Sequence, residues 1–504
     1  MEMVFEGLLS LAHWQPILAI VSGLVIGSFI GATPGLTGNM ALAITVPLTF
    51  KLPPVVGIPF LLAVYKGSLS GSSYSAILMN IPGTSAAVAT VLDGYPMTQK
   101  GLALRAMKAG LYSSVAADTF SDLILIAFAF PLANAALNFG PAQKASLLVL
   151  ALVLCGGLLG DSLAKGLLAS MLGLLFSMVG LDPIVGRARL NIFGLGRMES
   201  IDLVAFLIGA FALAEVLMQI RKNTNQDIGS GKVSMDIGEQ REGFTFRELF
   251  RYKKALIVSS IIGTVIGIVP GAGASIAGLL GYSTVKKISN EPEKFGTGHV
   301  EGVIAAEAAS GAVSGANILP LLTLGIPGNA AAAILGAAFL LQGITPGPTI
   351  FVDSGPQMYS IFLAMILANA LHVPLGSLVM KAFSKIRSIP FHILQPVIIS
   401  LCILGSYSVN QRMLDVYIML AIGVIAYLMR RVDIPVAPMV VAYILGRQTE
   451  MAIRQSLLIS GGSLKIFIDN PLSLLFTSCT VLLLAWTLYV KCRRDASNKL
   501  HAGV

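Results

Sequence analysis

Apolar runs separated by short polar punctuation fill this chain. They lie at residues 15–33, 39–50, 55–66, 72–92, 106–138, 145–160, 163–181 and 201–220, and resume at 255–270, 272–285, 300–324, 329–343, 358–380, 389–408, 414–429, 434–446 and 470–490. Many approach the ~20 residues a helix needs to cross a bilayer, and several fall short of ~17, as half-helices and re-entrant arms do. The pattern predicts an all-α polytopic membrane protein with about 10–12 transmembrane helices and two helical hairpins. Alternating ten-residue strands of an outer-membrane barrel are absent.

Inside the apolar runs stand helix breakers. Asn80-Ile81-Pro82-Gly83-Thr84 has a counterpart in Gly325-Ile326-Pro327-Gly328-Asn329. Proline removes a backbone donor and clashes with the preceding turn, and in hydrocarbon the freed groups cost several kcal/mol each unless protein or a water-filled cavity satisfies them. Each half has a second break, Thr33-Pro34-Gly35 and Pro270-Gly271-Ala272-Gly273. The nine residues Gly27 to Gly35 match Gly263 to Gly271 as Gly-x-x-x-Gly-x-x-Pro-Gly at an offset of 236; Gly67 to Gly71 match Gly311 to Gly315 at 244; Pro82-Gly83 match Pro327-Gly328 at 245. Ordered matches of this kind indicate an internal duplication.

Loop charge orients the halves. Lys51 to Pro54 is nearly uncharged and the later loop of half one carries Lys100, Arg105 and Lys108; in half two the early loop carries Lys286, Lys287 and Lys294, and the later one, 343–359, has Asp353 and no Lys or Arg. Basic loops stay cytoplasmic, so corresponding loops face opposite sides, the mark of two inverted repeats with broken helices and re-entrant hairpins. Residues 1–220 form the first repeat, 221–254 a basic cytoplasmic linker with Arg221, Lys222, Lys232, Arg241, Arg247, Arg251, Lys253 and Lys254, and 255–504 the second repeat with C-terminal helices.

Composition sharpens this picture. Of 504 residues 55% are apolar and 12% charged, half the charge of a soluble domain, and the net charge of +9 fits cytoplasmic loops rather than nucleic acid. Cys155, Cys402, Cys479 and Cys492 are far apart, and the five histidines are scattered, so neither a disulfide framework nor a metal site is expected. Met1 to Trp14 hold no Lys or Arg, unlike a cleaved signal peptide. No phosphate-binding Gly-x-x-x-x-Gly-Lys-Ser/Thr, no His-Glu-x-x-His and no Gly-x-Ser-x-Gly occurs, and with no paired catalytic constellation an enzyme is disfavoured.

A helix restarting after a break aims free N–H groups and its positive dipole end at the cavity, a ready anion site. The substrate-binding candidates are therefore Thr33, Gly35, Asn39, Asn80, Pro82, Gly83, Thr84 and Ser85 in half one, and Pro270, Gly271, Gly273, Gly325, Pro327, Gly328 and Asn329 in half two. Close helix packing explains small residues too, and for Thr37, Ser72 and Ser275 the two readings balance. Glu307, an ionisable residue within an apolar run, is a candidate for holding H⁺ or Na⁺ with Ser70, Ser314 and Asn317 beside it; a buried hydrogen-bonded partner is the plain alternative. Asp118 and Asp122 share a helix face at i, i+4 and are open to two readings, a coupling pair or a place near a helix end, of which the second is expected; Asp93-Gly94 is expected to form a turn.

Asn80-Ile81-Pro82-Gly83-Thr84 and Leu92-Asp93-Gly94-Tyr95-Pro96-Met97 resemble the hallmark of the large membrane subunit of tripartite tricarboxylate transporters, the TctA family. Pro270 to Gly273, Lys294 to Gly298, Glu301 to Val303, Leu324 to Gly328, Pro346-Gly347-Pro348 and the stretch from Arg454 to Gly462 are similar to it as well, so the resemblance spans almost the whole chain. It implies a multi-pass permease of a bacterial inner membrane, fed by a periplasmic solute-binding protein (TctC-like), assisted by a small membrane subunit (TctB-like), driven by a proton or sodium gradient, without another cofactor, and taking up citrate-like tricarboxylates or related carboxylates. An autonomous carboxylate symporter or channel without a binding protein is the alternative. The chain departs from the family at Ala306 to Gly311, where Pro-Glu-Ala-Ala-Asn-Asn is usual, at Leu69-Ser70-Gly71, where Tyr-Gly-Gly is, and at Asp118 and Asp122, where small or apolar residues are.

Overall fold

In the computed structural model, residues 7, 9–11, 13–33, 35–158, 162–182, 184–190, 200–225, 243–385 and 391–502 are described, without the side chains of 158, 222–225, 384–385, 391–394 and 487–502. Pro34, Lys232 and Arg241 lie outside them, as does the middle of the expected linker. The chain folds as an all-α membrane protein. Among the described residues seven helices are long and apolar enough to cross a bilayer, and six shorter apolar helices accompany them.

Two compact units are present: residues 1–134 with 202–428, and 135–201 with 429–504. The first is built from α1 (Trp14–Ala32), α2 (Gly38–Thr49), α3 (Pro54–Met79), α4 (Val88–Gln99) and α5 (Ala103–Leu137). It continues with α6 (Leu203–Arg221), which contains a π turn over Ile208–Leu213. Then follow α7 (Lys253–Ile268), α8 (Gly273–Ile288), α9 (Val300–Ala316), α10 (Ile318–Leu324), α11 (Ala330–Leu341), α12 (Gly355–Lys385), α13 (Phe391–Asn410) and α14 (Met413–Arg431). The second unit holds the helices Pro141–Leu158, Leu163–Ser177, Val436–Ile459 and Pro471–Ala502 and a two-stranded hairpin pairing Gly180 with Arg189 and Leu181 with Ala188.

The glycines decide how the first unit packs. A Cβ on Gly23, Gly27 or Gly31 of α1 would stand 2.5, 2.2 and 2.2 Å from the carbonyl oxygens of Phe60, Val64 and Ser68 of α3. Both helices advance by four residues per contact, so one small-residue stripe lies flat against one backbone ridge, the small-xxx-small packing favoured in bilayers. The same contact recurs in half two. A Cβ on Gly263 of α7 would stand 2.2 Å from the Ala309 oxygen of α9. Gly263 is Gly27 moved on by 236 and Ala309 is Val64 moved on by 245. These contacts set the register at 245, one residue from the 244 that aligns Gly67–Gly71 with Gly311–Gly315. One residue turns a helix by about 100°, so Ser70 and Ser314 are not structural counterparts.

Segmentation also differs from the apolar pattern. The runs at 55–66 and 72–92 meet in one helix, α3, which continues through Gly67-Ser68-Leu69-Ser70-Gly71 because α1 packs against that stretch. Tyr74, Ile77, Met97, Met107, Tyr282, Val303 and Ile304 share one core, drawn from both halves of the sequence.

Candidate functional site

All four breaks form. α3 ends on Asn80, which sits in the left-handed region at φ 58°, and α10 ends on Gly325 at φ 73°, the residue 245 positions on. Left-handed C-caps favour Gly and then Asn, so the same turn is made by two residue types. After the first break a 3₁₀ turn, Ser85–Ala87, leads into α4. After the second, Asn329 caps α11 by accepting from the Ala332 amide at 2.8 Å. Asn329 corresponds to Thr84, not to Asn80. Gly83 and Gly328 occupy equivalent niches: a Cβ would lie 2.7 Å from the Gly31 oxygen in one and 3.1 Å from the Gly267 oxygen in the other. The Gly271 amide donates to the Gly328 carbonyl at 2.7 Å, tying together the two breaks of half two.

The breaks differ in exposure. Asn80, Ile81, Pro82 and Ser85 lie open on the surface of this unit, whereas Gly325, Pro327 and Gly328 are buried. Of the sequence candidates, Thr84 donates to Ser72 at 3.0 Å, and Ser275 of α8 donates to Ser85 at 2.6 Å, joining the first break to the restart after Pro270-Gly271. Thr33 spends its hydroxyl on the Phe29 carbonyl at 2.8 Å, and Gly35, at φ 90°, faces the Gln219 amide. Asn39 is half-buried on the first turn of α2.

Between α3, the Ser85–Ala87 turn, α5 and α9 lies a small cleft. Ser72, Ser73, Ser114, Glu307 and Ser310 line it, with Ala86 and Ala87 at its edge. Glu307 is buried and accepts a short hydrogen bond from Thr90 of α4; Ser310 donates to the carbonyls of Ala86 and Ala274, both at 3.3 Å. No basic side chain is among its lining residues, so serine hydroxyls are what it offers a carboxylate. Among the described residues no group of three His, Cys, Asp or Glu side chains could hold a metal ion.

One turn away is a second polar group, which the apolar pattern did not single out. Lys66 of α3 is buried and donates to Asp118 at 2.7 Å, Asp122 at 2.6 Å and Asn369 Oδ1 at 2.9 Å. Asn369 of α12 in turn donates to Asp122 at 2.8 Å, and Ser314 of α9 makes a short hydrogen bond to Asp118. Asn317 and Asn329 donate to the Tyr65 hydroxyl at 3.0 and 3.3 Å. Asp118 and Asp122 are thus inside a 35-residue helix, α5, and not near its end. Ser314 and Asn317 belong to this cluster rather than to Glu307, while the buried Ser70 hydroxyl has no protein partner. The available signal was Lys66 within an apolar run, an expensive placement that needs buried counter-charges.

Asp93 is a helix residue, not a turn. From α4 its Oδ1 accepts three amides, Gly296 at 2.9 Å and Gly298 and His299 at 2.8 Å, and its Oδ2 accepts the Tyr282 hydroxyl at 2.9 Å. Gly296 and Gly298, at φ 86° and 94°, make the loop that presents those amides. Asp93 therefore fastens the loop before α9 of half two to α4 of half one.

In the second unit, Asp182 accepts the amides of Ile184 at 2.8 Å and Val185 at 2.9 Å, and Arg454 donates to both its oxygens at 3.0 and 2.9 Å. The Val185 and Ile184 amides, and Arg454 after them, hold this carboxyl down at about 2.

The family model for the tripartite tricarboxylate transporter TctA family matches residues 17–441. A curated relative, an uncharacterized 52.8 kDa protein of the TAR-I ttuC' 3' region of Agrobacterium vitis, is 33% identical over 475 residues, 94% of this chain and 93% of its own. An uncharacterized protein of the TAR-II ttuC' 3' region of the same organism is 34% identical over 235 residues, 46% of this chain and 97% of its own. No solved structure matches.

Proposed function

Because the chain belongs to the tripartite tricarboxylate transporter TctA family, we propose that it is the permease subunit of a binding-protein-dependent secondary transporter. In this reading it takes up citrate-like tricarboxylates or related carboxylates across a bacterial inner membrane, driven by a proton or sodium gradient. A periplasmic solute-binding protein delivers the acid and a small membrane subunit completes the complex. The observation that supports this beyond family membership is the cleft itself: buried Glu307 and four serine hydroxyls beside a helix restart at Ser85–Ala87. Hydroxyls and unpaired amides bind carboxylate oxygens without a buried full positive charge, and Glu307 supplies an ionisable group that can exchange with a coupling cation. The recurring α1–α3 and α7–α9 contacts support two repeats that rock against each other, with inverted orientation taken from the loop charges.

The test is uptake of labelled citrate into proteoliposomes, with and without purified binding protein and small subunit, under imposed Na⁺ and pH gradients. Uptake that requires both partners is expected; full uptake by the chain alone identifies an autonomous carrier instead. At the breaks, outside the cleft lining, Asn329→Ala is expected to abolish uptake, since it removes the cap of α11 and a donor to Tyr65. Asn80→Gly separates the side chain from the backbone, because Gly keeps the left-handed turn that Gly325 makes in half two. Loss of uptake in Asn80→Gly with normal expression assigns the amide to the substrate path; wild-type uptake in both variants removes the two break residues, Asn80 and Asn329, from it.

A further inference from the structure

Lys66, Asp118, Asp122 and Asn369 come from three helices and are all buried. The count of charge within this group is one ammonium against two carboxylates. The other titratable groups facing it are neutral as placed: the Tyr65 hydroxyl on α3 accepts from Asn317 and Asn329, and His372, one turn beyond Asn369 on α12, is buried with neither ring nitrogen partnered. Ser314 on α9 and Asn317, between α9 and α10, contribute no charge. Glu307 belongs to a different set of partners, Thr90 and Ser73. A surplus negative charge in so dry a place is not held without a cation.

Geometry says which cation. The Lys66 ammonium already fills the position a metal ion would take, with three oxygens at 2.6, 2.7 and 2.9 Å. Three of the four carboxylate oxygens are engaged, Asp118 Oδ2 and Asp122 Oδ2 by Lys66 and Asp118 Oδ1 by Ser314. Asp122 Oδ1 alone is buried with no protein partner, pressed against Gly315 of α9, where a Cβ would stand 2.2 Å from it. One free oxygen is a seat for a proton; a metal ion needs several.

We propose that Asp122 takes up and releases the single proton that neutralises this cluster, and that this proton, rather than a cation exchanging at Glu307, is the coupling ion of transport. The coupling half of the proposal rests on the transport reading above; the proton site does not. The link to the cleft is short. On α5, Ser114 lines the cleft and Asp118, one turn on, is in the cluster; on α9, Ser310 lines the cleft and Ser314, one turn on, is in the cluster; on α3, Lys66 lies one turn before Leu69, which borders the cleft. A shift of these helices that admits a carboxylate also alters the Lys66–Asp122 pairing, so each guest biases the other's site, as reciprocal coupling requires.

Two measurements decide it. Infrared difference spectra of the purified full-length protein between acid and alkaline pH are expected to show a protonated-carboxyl band that Asp122→Asn lacks. In proteoliposomes with binding protein and small subunit, an acid-outside gradient is expected to drive citrate accumulation in the wild type. Asp122→Asn should lose that accumulation by about tenfold or more while keeping citrate counterflow at uniform pH, since exchange needs no net proton movement. Gradient-driven accumulation in Asp122→Asn, or accumulation that follows Na⁺ and ignores pH, overturns the coupling role. Absence of the carboxyl band from the wild type overturns the proton site. If the wild type shows no citrate counterflow, the transport reading fails for this acid while the infrared result still judges the site. Should Asp122→Asn fail to reach the membrane, Asp122→Glu must shift the band, and an unmoved band rejects the assignment.

Discussion

Asp93 shows how one carboxylate can join the first half of the chain to the second. Its three amide partners form a loop that needs left-handed backbone at Gly296 and Gly298, so the acceptor and the loop depend on each other. Asp93→Ala takes the acceptor from three part-buried amides and from the buried Tyr282 hydroxyl. Charge-assisted hydrogen bonds contribute about 1.5–3 kcal/mol each and are not additive, so a loss of about 3 kcal/mol is expected, read as a lowered thermal midpoint in detergent. Asn in its place keeps a carbonyl acceptor and is expected to lose less than half as much. Equal midpoints for wild type and Asp93→Ala would mean the loop holds its own shape. The sequence put a turn at Asp93-Gly94 because Asp-Gly pairs mark turns in soluble chains; here Gly94 instead lets α4 approach Ile77, to which a Cβ would come within 2.7 Å.

At the scale of elements, the glycine stripes make a matched experiment. Gly27→Ala drives a methyl into the Val64 carbonyl and Gly263→Ala drives one into Ala309, each at 2.2 Å. Neither neighbour is a flexible side chain, so the helix pair must separate, and each variant is expected to lose about 2–3 kcal/mol, the upper range for overpacking. Paired thermal melts check this, and a large loss in one half with none in the other would deny that the two contacts are equivalent. The hairpin of the second unit gives a pH test. The Asp182 carboxyl is held at about 2 by the Val185 and Ile184 amides, against about 3.9 in an unfolded chain. A depressed carboxylate contributes stability that is complete above the unfolded value and disappears as pH falls through the folded one. The protection of the Ile184 and Val185 amides against hydrogen exchange, taken relative to the unfolded chain at each pH, should therefore fall between about pH 4 and pH 2, and Asp182→Asn should remove that dependence. Helix breaks and small-residue packing were legible in the sequence because Pro and Gly act locally and repeat at fixed offsets. The Lys66 cluster was legible only in part: Asp118 and Asp122 stood out on one helix face, but Lys66 ends the run 55–66 just before Gly67-Ser68-Leu69-Ser70-Gly71, and nothing in the sequence pairs it with them. The α1 backbone laid against Gly67 and Gly71 supports that stretch as helix, and that is a tertiary fact.

At the scale of the whole molecule, the transport reading requires the first-half break and the second-half restart to move relative to each other. Their direct link is the Ser275–Ser85 hydrogen bond at 2.6 Å. Ser85 is exposed and α8 begins two residues before Ser275, so the pair sits at the open edge of the cleft rather than in the core. Two hydroxyl oxygens at that distance are close to where two sulfurs meet, about 2 Å apart, in a disulfide. Ser85→Cys with Ser275→Cys, in a background where the four native cysteines are replaced, is therefore expected to cross-link on mild oxidation. If the two repeats slide past each other there, the bond stops labelled-acid uptake by the complex, and reduction restores it. The single variants exposed to the same oxidant keep uptake, which separates a trapped contact from a damaged one. Full uptake by the oxidised double variant would place the moving surface elsewhere, between α3 and the helices that carry Asp122 and Asn369, where the Lys66 cluster and not the Ser85–Ser275 edge would be the element that changes state.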